Sequence, residues 1–155
     1  MKAWYEAAAA SQLNQRETCM VDNISPAQTW EAIKASPEAQ LVDVRTDAEW
    51  NFVGVPDLAS AGKQVVLIPW QVYPAMQRNE AFEAQLRQTG FTPDHRIYFI
   101  CRSGVRSFAA AQAAQAAGFP HAYNVADGFE GPPDAIGHRG ATAGWKADGL
   151  PWRQK

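Results

Sequence analysis

Apolar and polar positions along this chain follow two alternating periods. Four short apolar runs have strand length: Leu41-Val42-Asp43-Val44, Val65-Val66-Leu67-Ile68, Ile97-Tyr98-Phe99-Ile100 and Ala122-Tyr123-Asn124-Val125. The third is apolar on both faces, as a buried central strand of a parallel sheet requires. The segments between them carry helix signals. Ser25-Pro26-Ala27-Gln28 supplies a Ser N-cap, Pro at the first helical position and Gln three residues after the cap. It predicts a helix to about Ala35 with Trp30 and Ile33 turned inward. Thr46-Asp47-Ala48-Glu49 repeats the capping pattern and opens a short helix that Gly54-Val55-Pro56 ends. The cap accounts for Glu49 in full, and no chemical role is assigned to it. Asn79 through Gln88 predicts a helix with Phe82 and Leu86 on one face and Gly90 as its stop. Val105 through Ala117 predicts an alanine-rich helix, thin enough to pack closely on a sheet, ended by Gly118 and Pro120. Residues 2–15 predict no more than a loose polar helix.

Strand, helix, strand, helix and strand between residues 65 and 125 imply right-handed crossovers. The expected architecture is α/β, a mainly parallel central sheet with helices on both faces. At about 100–200 residues per domain, 155 residues make one domain. The expected division is an N-terminal extension, 1–21, followed by a single domain over 22–155. Its last part, 131–155, reads as a loop-rich cover. Trp145 and Trp152 in that part indicate that it is packed.

Composition narrows the function classes. A formal net charge of −2 argues against a nucleic-acid binder driven by bulk charge. No apolar run reaches the roughly 20 residues of a membrane span. The first residues lack the apolar core of a secretion signal, being interrupted by Glu6 and Ser11-Gln12. With a reactive thiol to keep reduced, this leads to an expected cytoplasmic location. Two cysteines cannot build a disulfide framework or a cysteine-rich zinc site. His95, His121 and His138 are dispersed without metal-ligand spacing, so neither metal nor cofactor is expected.

The chemistry concentrates in Cys101-Arg102-Ser103-Gly104-Val105-Arg106-Ser107. Cys101 follows the central strand directly and a helix begins within a few residues. In an open α/β sheet, ligands bind at this end of the strands. A short strand-to-helix loop turns its backbone N–H groups inward as an anion nest, with Gly104 permitting the bend. The helix N-terminus, Arg102 and Arg106 add positive charge. The expected site is Cys101 as a thiolate nucleophile within an anion-binding loop of Arg102, Ser103, Gly104, Val105 and Arg106. Asp43 and Arg45, at a neighbouring strand's carboxyl end, are expected to line the same cleft and orient the loop. A plain strand-end salt bridge is the alternative for that pair. Cys19 has no basic neighbour closer than Arg16 and reads as a bystander. Trp70 reads as either a pocket wall or core. Gly137-His138-Arg139-Gly140, with Trp145-Lys146, reads as either a flap over the site or a cap on a sheet edge.

The loop resembles the six-residue active-site loop of the rhodanese family of single-domain sulfurtransferases. Leu41-Val42-Asp43-Val44-Arg45, followed by Glu49-Trp50, resembles that family's second signature, and Asp127-Gly128 stands where it commonly has a Gly pair. The likeness covers residues 22–131. The chain departs from the family pattern at Gly54-Val55-Pro56, where a Gly-His-Ile is common. The resemblance implies transfer of a sulfane sulfur from thiosulfate or a similar anion, through a Cys101 persulfide, to a small thiol or protein acceptor. It further implies that the loop N–H groups and Arg106 stabilise the persulfide, while Arg102 points outward and attracts the donor. Two other readings stay open: a persulfide carrier or partner-docking module with little turnover, and a cysteine phosphatase or arsenate reductase. Phosphatase loops place Arg six positions after Cys, whereas Arg106 lies five after Cys101.

Overall fold

A computed structural model describes residues 20–154. The loose helix expected over 2–15, and Cys19, lie outside the described residues. Five strands form one parallel sheet: β1 (Asn23–Ile24), β2 (Ala39–Asp43), β4 (Val66–Leu67), β7 (Arg96–Ile100) and β8 (Ala122–Val125). Their spatial order is β1-β8-β7-β2-β4. β7 lies at the centre, with Leu41 opposite Tyr98 and Asp43 opposite Ile100 in the register with β2. This is the expected α/β sheet, with one strand more than the hydrophobic pattern indicates. β1 is two residues long and half polar, too short to leave a periodic signal.

The helices are α1 (Pro26–Ala35), α2 (Asp47–Phe52), α3 (Phe82–Gln88) and α4 (Val105–Ala116). α1 begins as its cap dictates, with the Ser25 side chain accepting from the Gln28 N–H. α3 starts three residues later than expected. Asn79 is spent on a turn, its side chain accepting from the Ala81 N–H while its amide donates to the Pro69 carbonyl. A hairpin of β5 (Gln71–Val72) and β6 (Gln77–Arg78) precedes it.

Strict alternation along β7 splits the core into two layers. Ile97, Phe99 and Cys101 join Phe82 and Leu86 of α3 and the buried alanines of α4 on one face. Tyr98 and Ile100 join Trp30 and Ile33 of α1, with Phe129 and Trp145, on the other. Helices therefore cover both faces, and the C-terminal segment completes the second. Trp145 is fully buried, edge-on to Trp30 at 6.0 Å. Among the described residues the segment pairs with no strand of the main sheet. Its strand β9 (Trp152–Arg153) pairs antiparallel with β3 (Val55–Pro56). Trp70 is part of the first layer, 5.1 Å edge-on from Phe82. No helix among the described residues is long and apolar enough to cross a membrane.

Candidate active site

The loop after β7 is held from outside by its carbonyls. The Phe129 N–H donates to the Cys101 carbonyl at 2.7 Å, and the Glu130 and Gly131 N–H groups both donate to that of Arg102 at 3.0 Å. The Gly104 carbonyl accepts from Asn124 Nδ2 at 3.1 Å and from the Phe108 N–H at 3.3 Å. With these acceptors tied down, the Gly104 N–H is directed inward to Cys101 Sγ at 3.1 Å. Gly104 makes this possible at φ +108, a conformation that side chains strain against. Ser107 Oγ also lies 3.1 Å from Cys101 Sγ. The cysteine is 1% exposed and free of any disulfide.

Gly128 fixes how close the supporting turn can come. A Cβ on it would lie 2.3 Å from the Cys101 carbonyl oxygen. The C-terminal segment braces this turn, since the Trp145 N–H donates to the Gly128 carbonyl and the Lys146 N–H to that of Phe129. The stretch from Gly137 to Lys146 thus supports the loop's own buttress.

Arg106 does not point free into the loop, as the sequence suggests. Its guanidinium forms a two-pronged ion pair with Glu49, Nη1 to Oε1 at 2.7 Å and Nη2 to Oε2 at 2.9 Å. Glu49 was expected only as a cap. It does complete the capping box with Thr46, and it also anchors the far end of the loop to α2. Burial alone disfavours the charge on Glu49, but the Arg106 hydrogen bond and charge, with the Thr46 bonds, outweigh it and hold its carboxyl below the ordinary glutamate range. Burial likewise disfavours the Arg106 charge, and Glu49 reverses this, with smaller help from Cys101 and Asp43. A carboxyl depressed in the folded state contributes stability above its unfolded value and loses it as pH falls through the folded one. Glu49→Gln keeps a capping side chain but removes the charge, so it should cost about 1–2 kcal/mol at neutral pH, the pair being largely buried. Urea unfolding should show that deficit shrinking as the solution is acidified below the ordinary glutamate range. A deficit that persists through acid would mean that the ion pair is not its source.

Asp43 and Arg45 correct the sequence reading in a different way. Both are 0% exposed, so they line no cleft. Arg45 Nε and Nη2 hold the Asp43 carboxylate, and Nη2 also donates to the Gly54 carbonyl at 2.6 Å. The guanidinium stacks 4.2 Å over the Phe129 ring. The pair touches the loop's support at Phe129, whose N–H donates to the Cys101 carbonyl. Arg102 and Val105 are exposed, while Ser103 and Gly104 are half-buried. An open cavity of about 440 Å³ beside the loop is lined by Asn23, Ser103, Gly104, Val105, Phe108 and Asn124.

Glu49, assigned to a helix cap alone, and Ser107 and Asn124, assigned no role, all belong to the site. The last two left a signal: a buried serine on an alanine face, and an amide inside an apolar strand. Each is a polar group whose burial demands a partner.

The five-stranded parallel sheet with helices on both faces matches the rhodanese-like α/β fold. A rhodanese-like domain protein from Staphylococcus aureus is 25% identical and superposes with a TM-score of 0.51, over 70% of this chain and 87% of that one. The crystal structure of Rv0390 from M. tuberculosis is 51% identical with a TM-score of 0.80, covering 87% of this chain and 98% of that one. An uncharacterised protein of Rickettsia conorii is 37% identical over 134 residues, 86% of this chain and 98% of its own length. The chain belongs to the STR4 middle domain family, whose model matches residues 22–155.

Proposed function

We propose that this protein is a sulfurtransferase, with residues 22–155 as its transfer domain and Cys101 as the sulfur-carrying residue. The observation that carries the reading is the convergence of the Gly104 N–H and the Ser107 hydroxyl on one free sulfur at the carboxyl end of the central strand. Such donors stabilise negative charge on that sulfur.

In the proposed first half-reaction, the Cys101 thiolate attacks the outer sulfur of thiosulfate or a similar sulfane donor. The new S–S bond forms as the donor's S–S bond breaks, and sulfite leaves with the electron pair. Cys101 then carries a persulfide, a reversible state of cysteine. In the second half-reaction a thiophilic acceptor, cyanide in an assay or a thiol in the cell, takes the outer sulfur and returns the thiolate. The exposed Arg102 attracts the anionic donor. Arg106, neutralised by Glu49, acts as a fixed post for the loop.

Steady-state thiocyanate formation from thiosulfate and cyanide should show parallel double-reciprocal lines, the mark of two half-reactions through a covalent intermediate. Intersecting lines would contradict it. Release of phosphate from an aryl phosphate at a comparable rate would favour a phosphatase instead. The six-residue span from Cys101 to Arg106 argues against that reading, being one residue short of the phosphatase loop.

A further inference from the structure

Behind Cys101 lies a chain of hydrogen bonds that has too few protons to satisfy every contact once the thiol is ionised. Ser107 Oγ lies 3.1 Å from Cys101 Sγ and 2.5 Å from Asn124 Oδ1. Both contacts are within reach of the serine hydroxyl, which has a single proton to donate. The Asn124 amide orientation is set independently. Its Nδ2 donates to the Gly104 carbonyl at 3.1 Å and to Asn23 Oδ1 at 2.8 Å. A carbonyl can only accept, so Nδ2 must face Gly104 and Oδ1 must face Ser107. Ser107 is 0% exposed and Asn124 3% exposed, which leaves water little access to this junction.

We infer that the Ser107 proton alternates between Asn124 Oδ1 and the Cys101 sulfur, and that Asn124 is a positioning residue that restrains the reactive thiolate by competing for it. With a thiol, Cys101 S–H donates to Ser107 Oγ, and Ser107 donates on to Asn124. With a thiolate, the serine proton turns to the sulfur and the buried Asn124 carbonyl loses its donor. That loss is a cost on the thiolate alone. Asn124 thus opposes the ionised nucleophile, whereas Ser107 and Gly104 support it. The chain ends at Asn23, an exposed residue lining the cavity beside the loop.

Asn124→Leu tests this cleanly. Leu shares the heavy-atom count and branching of Asn, the Gly104 carbonyl keeps its bond from the Phe108 N–H, and Asn23 is exposed to water. The readout is the rate at which iodoacetamide alkylates Cys101 at neutral pH, followed on the Cys101 peptide by mass spectrometry. Asn124→Leu should react about tenfold faster than the parent. Ser107→Ala should react about tenfold slower, and the double variant no faster than Ser107→Ala alone. Asn124→Asp, which keeps an acceptor facing Ser107, should stay at or below the parent rate. A rate for Asn124→Leu at or below the parent would overturn the inference. So would a gain that survives in the Ser107→Ala background, or an Asn124→Asp variant as fast as Asn124→Leu. If Leu does not fold at this strand position, Asn124→Val serves with the same expectation. The inference rests on Cys101 being the reactive thiol, but alkylation is read without any sulfur transfer. Variants in the expected order with no uptake of sulfur would sink the transfer reading and leave this one standing.

Discussion

Cys101→Ser should lower thiocyanate formation to background, a loss of at least about a thousandfold, with the fold intact. Serine is slightly smaller than cysteine and can still accept from the Gly104 N–H and share a hydrogen bond with Ser107. The substitution therefore leaves no buried donor without a partner, and its stability should stay within about 1 kcal/mol of the parent. What disappears is the soft, polarisable sulfur that can form and release an S–S bond. The measurements are thiosulfate-to-cyanide turnover alongside a urea melt. Turnover that survives in a folded Cys101→Ser protein would move the chemistry to another residue.

Gly128→Ala should destabilise the protein strongly. Its Cβ would stand 2.3 Å from the Cys101 carbonyl oxygen and 2.7 Å from the Arg102 carbonyl oxygen. These are backbone atoms that themselves accept the bonds holding the loop, so no flexible side chain can move aside. Gly128 also sits at φ +59, which adds backbone strain. Together these should cost more than about 3 kcal/mol and displace the loop in whatever folded protein remains. Gly137→Ala is the control. Gly137 has a similarly positive φ of +83 but open space where the Cβ would go, so it should cost about 1 kcal/mol. Equal losses in the two variants would mean that the close approach of the turn to the loop does not matter.

The parts of this protein that were legible in its sequence are those governed by local rules. The Ser25 and Thr46 caps act over three residues, and both helices begin where those side chains place them. The apolar run of β7 marked the central strand, and the cysteine-to-arginine spacing marked the loop. What stayed hidden depends on chain folding back from far away. Glu49 meets Arg106 across 57 positions, and its role as a cap, correct as far as it went, concealed the second one. Arg45 looked like a residue of the cleft because it is charged and ends a strand. The Asp43 carboxylate, the Gly54 carbonyl and the Phe129 ring over its guanidinium together make a fully buried arginine tolerable there. The two-residue strands β1, β3 and β9 carry too few positions for any period to show. β9 depends on Gly54, whose missing side chain lets the Arg153 carbonyl approach.

Sulfur proposed to reside on Cys101 during transfer can be weighed directly. Reduced protein, incubated with thiosulfate and freed of excess reagent, can be weighed intact and then mapped by peptide without reductant. The expected result is a gain of one sulfur atom per chain, located on the peptide containing Cys101, absent from Cys101→Ser and removed by cyanide. A folded protein that gains no sulfur, or that carries it on Cys19 alone, would contradict it.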